Sequence, residues 1–245
     1  EKIAGGFLME PVTLVVSIIV ALASIVIYFL ISGRRSARGD KLLLFGPMGG
    51  GKTCLFLQLR YGKSHPTFTS MQKTSARCTF HREQRGTSAS PRSVVLVDAP
   101  GSGSLRSQLL AEASSAAVLA CVLDATELQS QCKEAAGMIF DVLTQDSVQH
   151  RSPPLLIVAN KTDLTNAASI MMAKQQLEGE VHKVRLARTT MQDTSGRGKR
   201  TSFINNASAG PFSFDQIESH VELVSCSATK PNLDSFMDAV HKYIR

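Results

Sequence analysis

The sequence predicts an α/β fold, a doubly wound and mostly parallel sheet, preceded by one transmembrane helix. Three observations predict it. Residues 12–31 (VTLVVSIIVALASIVIYFLI) form an uncharged apolar run. From Lys41 onward, short apolar or β-branched runs alternate with longer segments of helical period, the pattern of a parallel sheet with crossover helices. The first of those runs opens onto a Gly-rich turn, a Lys-Thr pair and an apolar helix.

The apolar run comes first. At 1.5 Å per helical residue it spans roughly 30 Å, the thickness of a bilayer's hydrocarbon core. A buried core helix seldom stays apolar on every face for that length. A cleaved signal peptide would carry a basic start and a shorter apolar region, whereas here Arg34, Arg35, Arg38 and Lys41 follow the run. Only Lys2 precedes it, offset by Glu1 and Glu10. The positive-inside rule therefore places the C-terminal part in the cytosol. The organisation expected is a short non-cytosolic segment over 1–11, the membrane helix over 12–31, a basic juxtamembrane linker over 32–40 and one domain over 41–245.

Composition narrows the class of that domain. The chain of 245 residues is 43% hydrophobic and 19% charged, which fits a packed core and excludes wholesale disorder. Cys54, Cys78, Cys121, Cys132 and Cys226 are scattered without a Cys-x-x-Cys pair, which argues against a zinc or redox site and for reduced thiols. The net charge of +7 is explained in part by the membrane flank, and no direct DNA binding is expected.

In order, strands are expected near 41–45, 77–82, 92–98, 116–124, 154–159 and 220–225. Helices are expected near 53–60, 104–114, 126–145, 166–186 and 231–243. Between 188 and 211 the chain turns polar and loses apolar period, and a mobile loop is expected there. Its Arg197, Lys199 and Arg200 read first as a solvated surface, with acidic lipid or ribosomal RNA as the alternative. Glu134, Asp141 and Asp146 read as lying on the exposed side of a helix, with no paired partner that suggests acid–base chemistry, and the histidines show no ligand spacing.

The chemistry lies at the strand ends. KLLLF leads into Gly46-Pro47-Met48-Gly49-Gly50-Gly51-Lys52-Thr53, followed by Cys54. Glycines let the backbone N–H groups converge on phosphate oxygens while the helix directs its positive end there. Lys52 would bridge β and γ phosphates, and Thr53 would give its hydroxyl to Mg²⁺. SVVLVDAPG ends in Asp-x-x-Gly, where Asp98 would meet Mg²⁺ through water and the Gly101 N–H would sense the γ-phosphate. LLIVANKTD ends in Asn-Lys-x-Asp. Asp163 can accept the N1–H and amine of guanine, a donor pair adenine lacks, while Asn160 would hold the base edge and Lys161 cover its face. VELVSCSAT places Ser227 and the Ala228 N–H for the guanine O6. The cofactors implied are GTP or GDP with Mg²⁺.

Four motifs in this order, each closing an apolar strand, resemble the small GTPase superfamily over 41–245. The N-terminal anchor, DAPG, the following SLR (104–106) and QQLEGEVHKVRLART with its polar insertion are similar to the beta-subunit family of the signal recognition particle receptor. The resemblance implies a single-pass protein of the endoplasmic reticulum membrane with a cytosolic GTPase domain. It also implies that the GTP form binds the N-terminal domain of the alpha subunit in co-translational targeting, with ribosome or translocon as further partners. The alternatives are an Arf-like switching GTPase of another trafficking step and a scaffold holding GTP as a structural ligand.

Two positions depart from the pattern. The first switch should lie in YGKSHPTFTSMQ (61–72), where Thr67 is the first choice for the Mg²⁺-coordinating threonine and Thr69 the second. After Gly101, where many small GTPases carry a water-orienting Gln and the beta-subunit family is similar to them with a His, this chain has Ser102. Serine cannot orient an attacking water as a Gln amide does, so slow hydrolysis is expected and no catalytic residue is assigned.

Overall fold

The computed structural model describes residues 18–20, 40–63, 67, 72–80, 83–84, 87–88, 92–102, 105–193, 210–230 and 232–244. Two compact units divide the chain, Glu1–Arg38 and Gly39–Arg245. Within the first, residues 18–20 are helical and exposed, and the rest of the expected membrane span and linker lies outside the described residues. Among the described residues no helix is long and apolar enough to cross a membrane.

The second unit runs β1 (Lys41–Phe45), α1 (Lys52–Tyr61), β2 (Thr74–Phe80), β3 (Glu83–Gln84), β4 (Thr87–Ser88), β5 (Arg92–Asp98), α2 (Arg106–Ala113) and β6 (Val118–Asp124). It continues through α3 (Leu128–Leu143), α4 (Asp146–Arg151), β7 (Leu155–Asn160), α5 (Ile170–Asp193), a short 3₁₀ turn (Phe214–Gln216), β8 (Val221–Ser225) and α6 (Asp234–Tyr243).

Six strands form one sheet in the order β2-β5-β1-β6-β7-β8. All neighbours are parallel except β2, which pairs antiparallel with β5 from Thr74 opposite Asp98 to Phe80 opposite Arg92. A parallel pairing needs a crossover of roughly a dozen residues or more. The chain between Phe80 and Arg92 is shorter than that and carries a second, two-stranded pairing of β3 with β4.

Each central strand is buried on both faces, as its continuous apolar run requires. β6 (VLACVLD) and β7 (LLIVAN) are buried at every position. Side-chain alternation then makes two cores. Leu43, Phe45, Leu119, Cys121 and Ile157 pack with Leu109 of α2, Ile139 of α3 and Leu177 of α5. Leu42, Leu44, Leu96, Ala120, Leu156 and Val158 pack with Leu55 and Phe56 of α1 and Phe236 and Val240 of α6. Helices therefore cover both faces, the doubly wound arrangement.

Several expectations change. β2 begins at Thr74 and ends at Phe80, not over 77–82, and the β3–β4 pairing was not anticipated. The helix expected over 126–145 is α3, and the short α4 that follows at Asp146–Arg151 was not anticipated. α5 runs to Asp193, so residues 188–193 of the expected loop are helical, while 194–209, with Arg197, Lys199 and Arg200, lie outside the described residues. Asp141, expected on the exposed side of a helix, is only 18% exposed and pairs with Arg106 at 3.0 Å and Arg188 at 3.4 Å. Helical period puts it on the α3 flank where α2 and α5 both reach it.

Candidate nucleotide site

Strand order decides where a ligand can sit. From β1 the chain goes to one side (β5) and then returns to the other (β6), so a crevice opens at the carboxyl ends of β1 and β6. The loop Gly46–Gly51 leaves β1 there. Gly46 has φ 135°, and a Cβ on it would come within 2.4 Å of the Val122 carbonyl oxygen of β6. No other residue lets the loop lean on the sheet that closely.

The loop ends in α1, whose N-cap is Gly51 in the left-handed region and which has no side-chain cap. The first N–H groups of a helix lack intrahelical acceptors, and the dipole adds positive charge at that end. Lys52 is buried and its Nζ donates to the Pro47 carbonyl at 2.6 Å. Burial lowers its pKa, opposed by the charge of Asp98. The Thr53 hydroxyl donates to Asp98 Oδ2 at 2.6 Å. Asp98 is fully buried; burial raises its pKa, against the Thr53 bond and Lys52. Its Oδ1 is buried without a hydrogen-bond partner.

Gly101 closes the same corner. A Cβ there would lie 2.8 Å from the Met48 nitrogen and 2.9 Å from Lys52 Nζ. Uncapped N–H groups, a buried ammonium, a hydroxyl and a carboxylate with an unpartnered oxygen are the donor and acceptor set of a polyphosphate with a hard divalent cation. The residues present fit both.

The second half of the site closes from β7 and β8. Asn160, at the end of β7, donates from Nδ2 to the Gly50 carbonyl at 2.9 Å and accepts at Oδ1 from the Ala228 N–H at 3.1 Å. The expected hold on the base edge is here a clamp between the phosphate loop and the loop after β8, and the Ala228 N–H is engaged by it. Ser227 donates to Asp163 Oδ1 at 2.7 Å, and Thr162 donates to the Cys226 carbonyl at 2.9 Å. Cys54 reaches the Ala228 carbonyl at 3.9 Å. Lys161 adopts φ 63°, and its Nζ pairs with Asp124 Oδ2.

Three residues had not been anticipated. Burial would raise the Asp124 pKa, but bonds from Lys161 and from the hydroxyl and N–H of Thr126 hold it below the usual range. Gln131 of α3 bonds to the Met48 carbonyl. Asp124 had a signal, since it ends an apolar strand as Asp98 does; Gln131 and Thr126 had none. Thr67 is exposed, no hydrogen bond joins it to Thr53 or Asp98 among the described residues, and Thr69 lies outside them. Ser102 is half-buried, its carbonyl accepting the Leu105 N–H at 3.1 Å.

The family model "Signal recognition particle receptor beta subunit" matches residues 37–221. The chain belongs to that family. The human signal recognition particle receptor subunit beta is 32% identical over 219 residues, covering 88% of this chain and 78% of the relative. Its Dictyostelium discoideum counterpart is 27% identical over 201 residues, 81% and 67% of the two chains. Among solved structures, a chain of the mammalian signal recognition particle receptor superposes with TM-score 0.68 at 31% identity, covering 83% of this chain and 99% of that one. A Chaetomium thermophilum receptor structure described as SRb-GDP-Mg gives TM-score 0.60 at 23% identity, covering 84% and 97%, and supports the fold alone.

Proposed function

We propose that this beta-family chain is the GTP-binding, membrane-anchored subunit of a signal recognition particle receptor. In its GTP state it recruits the N-terminal domain of the alpha subunit at the endoplasmic reticulum membrane during co-translational targeting. The observation that carries the reading is the bridge Gly50–Asn160–Ala228, which ties the phosphate loop to the two loops proposed to read the base. A site so joined senses base and phosphates together, as a guanine nucleotide switch requires.

In that reading the cradle of Gly46, Pro47, Met48, Gly49, Gly50, Gly51 and Cys54 surrounds the phosphates. Lys52 holds the β and γ oxygens, Thr53, Asp98 and Thr67 serve Mg²⁺, and Gly101 reports the γ-phosphate. Asp163 selects guanine, with Lys161 over the ring and Ser227 orienting the carboxylate. Mg²⁺, when bound, neutralises charge between the phosphates.

The partner reading is supported by family membership and by the neighbouring fungal structure described as an SRb-GTP/SRX complex. The membrane reading is supported by the apolar run at 12–31 and its basic C-terminal flank. A second reading, GTP as a tightly held structural ligand of a receptor scaffold, is favoured by Ser102 in place of a longer water-orienting side chain. Single-turnover hydrolysis with and without the alpha-subunit domain separates the two. Rapid, partner-sensitive conversion to GDP supports the switch. Bound GTP that survives with the partner supports the scaffold. Failure of the alpha domain to bind in either state overturns both.

A further inference from the structure

Three glycines in succession, Gly49 to Gly51, make the centre of the phosphate loop conformationally loose, and the Met48–Gly49 peptide, free of a Cβ on its Gly49 side, can turn over. Something outside the loop must set its direction. Gln131 of α3 reaches it: its amide is buried, its Nε2 donates to the Met48 carbonyl at 3.0 Å, and its Oε1 accepts the Asp124 N–H at 3.4 Å.

The Met48 carbonyl and the Gly49 N–H belong to one trans peptide, so they point in opposite directions. With the carbonyl held against α3, the Gly49 N–H faces away from it. Among the described residues that N–H meets no protein acceptor. Gly49 itself has φ 77°, a value from which a glycine can rotate to the flipped peptide without steric cost. Asp124, the other partner of Gln131, also holds Lys161.

We propose that Gln131 is the positioning residue of the phosphate cradle, locking the Met48–Gly49 peptide so that the Gly49 N–H is presented to a nucleotide phosphate. The inference rests on the nucleotide reading above. Gln131 touches no reacting atom. It acts by removing the flipped loop from the population, so that binding does not have to reorganise the peptide.

The test compares the full chain with Gln131→Met, which keeps the volume and loses both bonds, and Gln131→Glu. The latter keeps the acceptor for Asp124 but places a carboxylate oxygen against the Met48 carbonyl. GDP affinity is measured by calorimetry, guanosine against xanthosine diphosphate gives the base discrimination, and the phosphorus resonance of the bound β-phosphate reports the cradle. The expected result is GDP binding weakened about tenfold in Gln131→Met and further in Gln131→Glu, an unchanged guanosine-to-xanthosine ratio and a displaced β-phosphate resonance. Affinities within twofold of the parent, or weaker binding with the β-phosphate resonance unmoved, overturn the inference. A parent chain that binds no GDP overturns the nucleotide reading and this inference with it.

Discussion

In the proposed reading Asp163 carries the choice between bases. Its Oδ1 is committed to Ser227, and its carboxylate is the acceptor pair that guanine's donors match. Asp163→Asn should weaken GTP by about 10- to 100-fold and shift preference to xanthosine triphosphate, checked by competition with a fluorescent nucleotide. Unchanged preference for GTP would remove Asp163 from the base site. Lys52→Ala should abolish tight phosphate binding and leave membrane insertion intact, which nucleotide binding and flotation assays measure separately. Gly101→Ala should also weaken nucleotide binding, because the new methyl would press on the Met48 nitrogen and Lys52 Nζ, neither of which can yield without disturbing the cradle. At this scale the sequence singled out residues whose type chemistry dictates, as with Lys52, Thr53, Asp98 and Asp163. It was silent where a neutral polar side chain works through one hydrogen bond, as with Gln131.

Among elements, α2 illustrates how a helix is tied to the sheet edge. Its Glu112 accepts from Lys73, just before β2, at 2.8 Å and from Lys41, at the start of β1, at 2.9 Å. The Lys73 bond, with Lys41 assisting and burial opposing, holds Glu112 below its ordinary 4.5. A carboxylate depressed in the folded state adds stability that is present above the unfolded value and lost as pH falls through the folded one. Glu112→Gln should therefore cost about 1 kcal/mol near neutral pH, with the gap from the parent closing as pH is lowered below 4.5, read by urea unfolding across that range. In α5, Leu177 is fully buried in the core shared with α3, and Leu177→Ala should cost about 2–5 kcal/mol by the same method. β1, β5, β6 and β7 were legible because strands buried on both faces are written as largely apolar runs, whereas β8 (VELVS) lies at the other edge, carries Glu222 and is fully buried only at Val224. β2 at the sheet edge (TSARCTF) has no such run, so its start was misplaced. α5 runs beyond its expected end, and Arg188 on that extension pairs with Asp141, a contact that sequence spacing does not reveal.

For the whole molecule, the doubly wound sheet brings the four motif loops to one end, and the phosphate loop sits where the connections from the paired strands β1 and β6 part to opposite sides of the strand order. That placement follows from topology, and topology was readable because each motif closes a strand. The clamp through Asn160 was not readable, since it depends on loops from β1, β7 and β8 meeting in space. In the proposed function the assembled site selects guanine nucleotides for a receptor beta subunit. The most direct measurement is displacement of a fluorescent GDP from the full chain by GTP and by ATP at equal Mg²⁺. GTP should displace it at concentrations lower by about a hundredfold or more, because a site built to bond the guanine edge leaves Asp163 unpaired against adenine. Equal displacement by ATP would contradict the account.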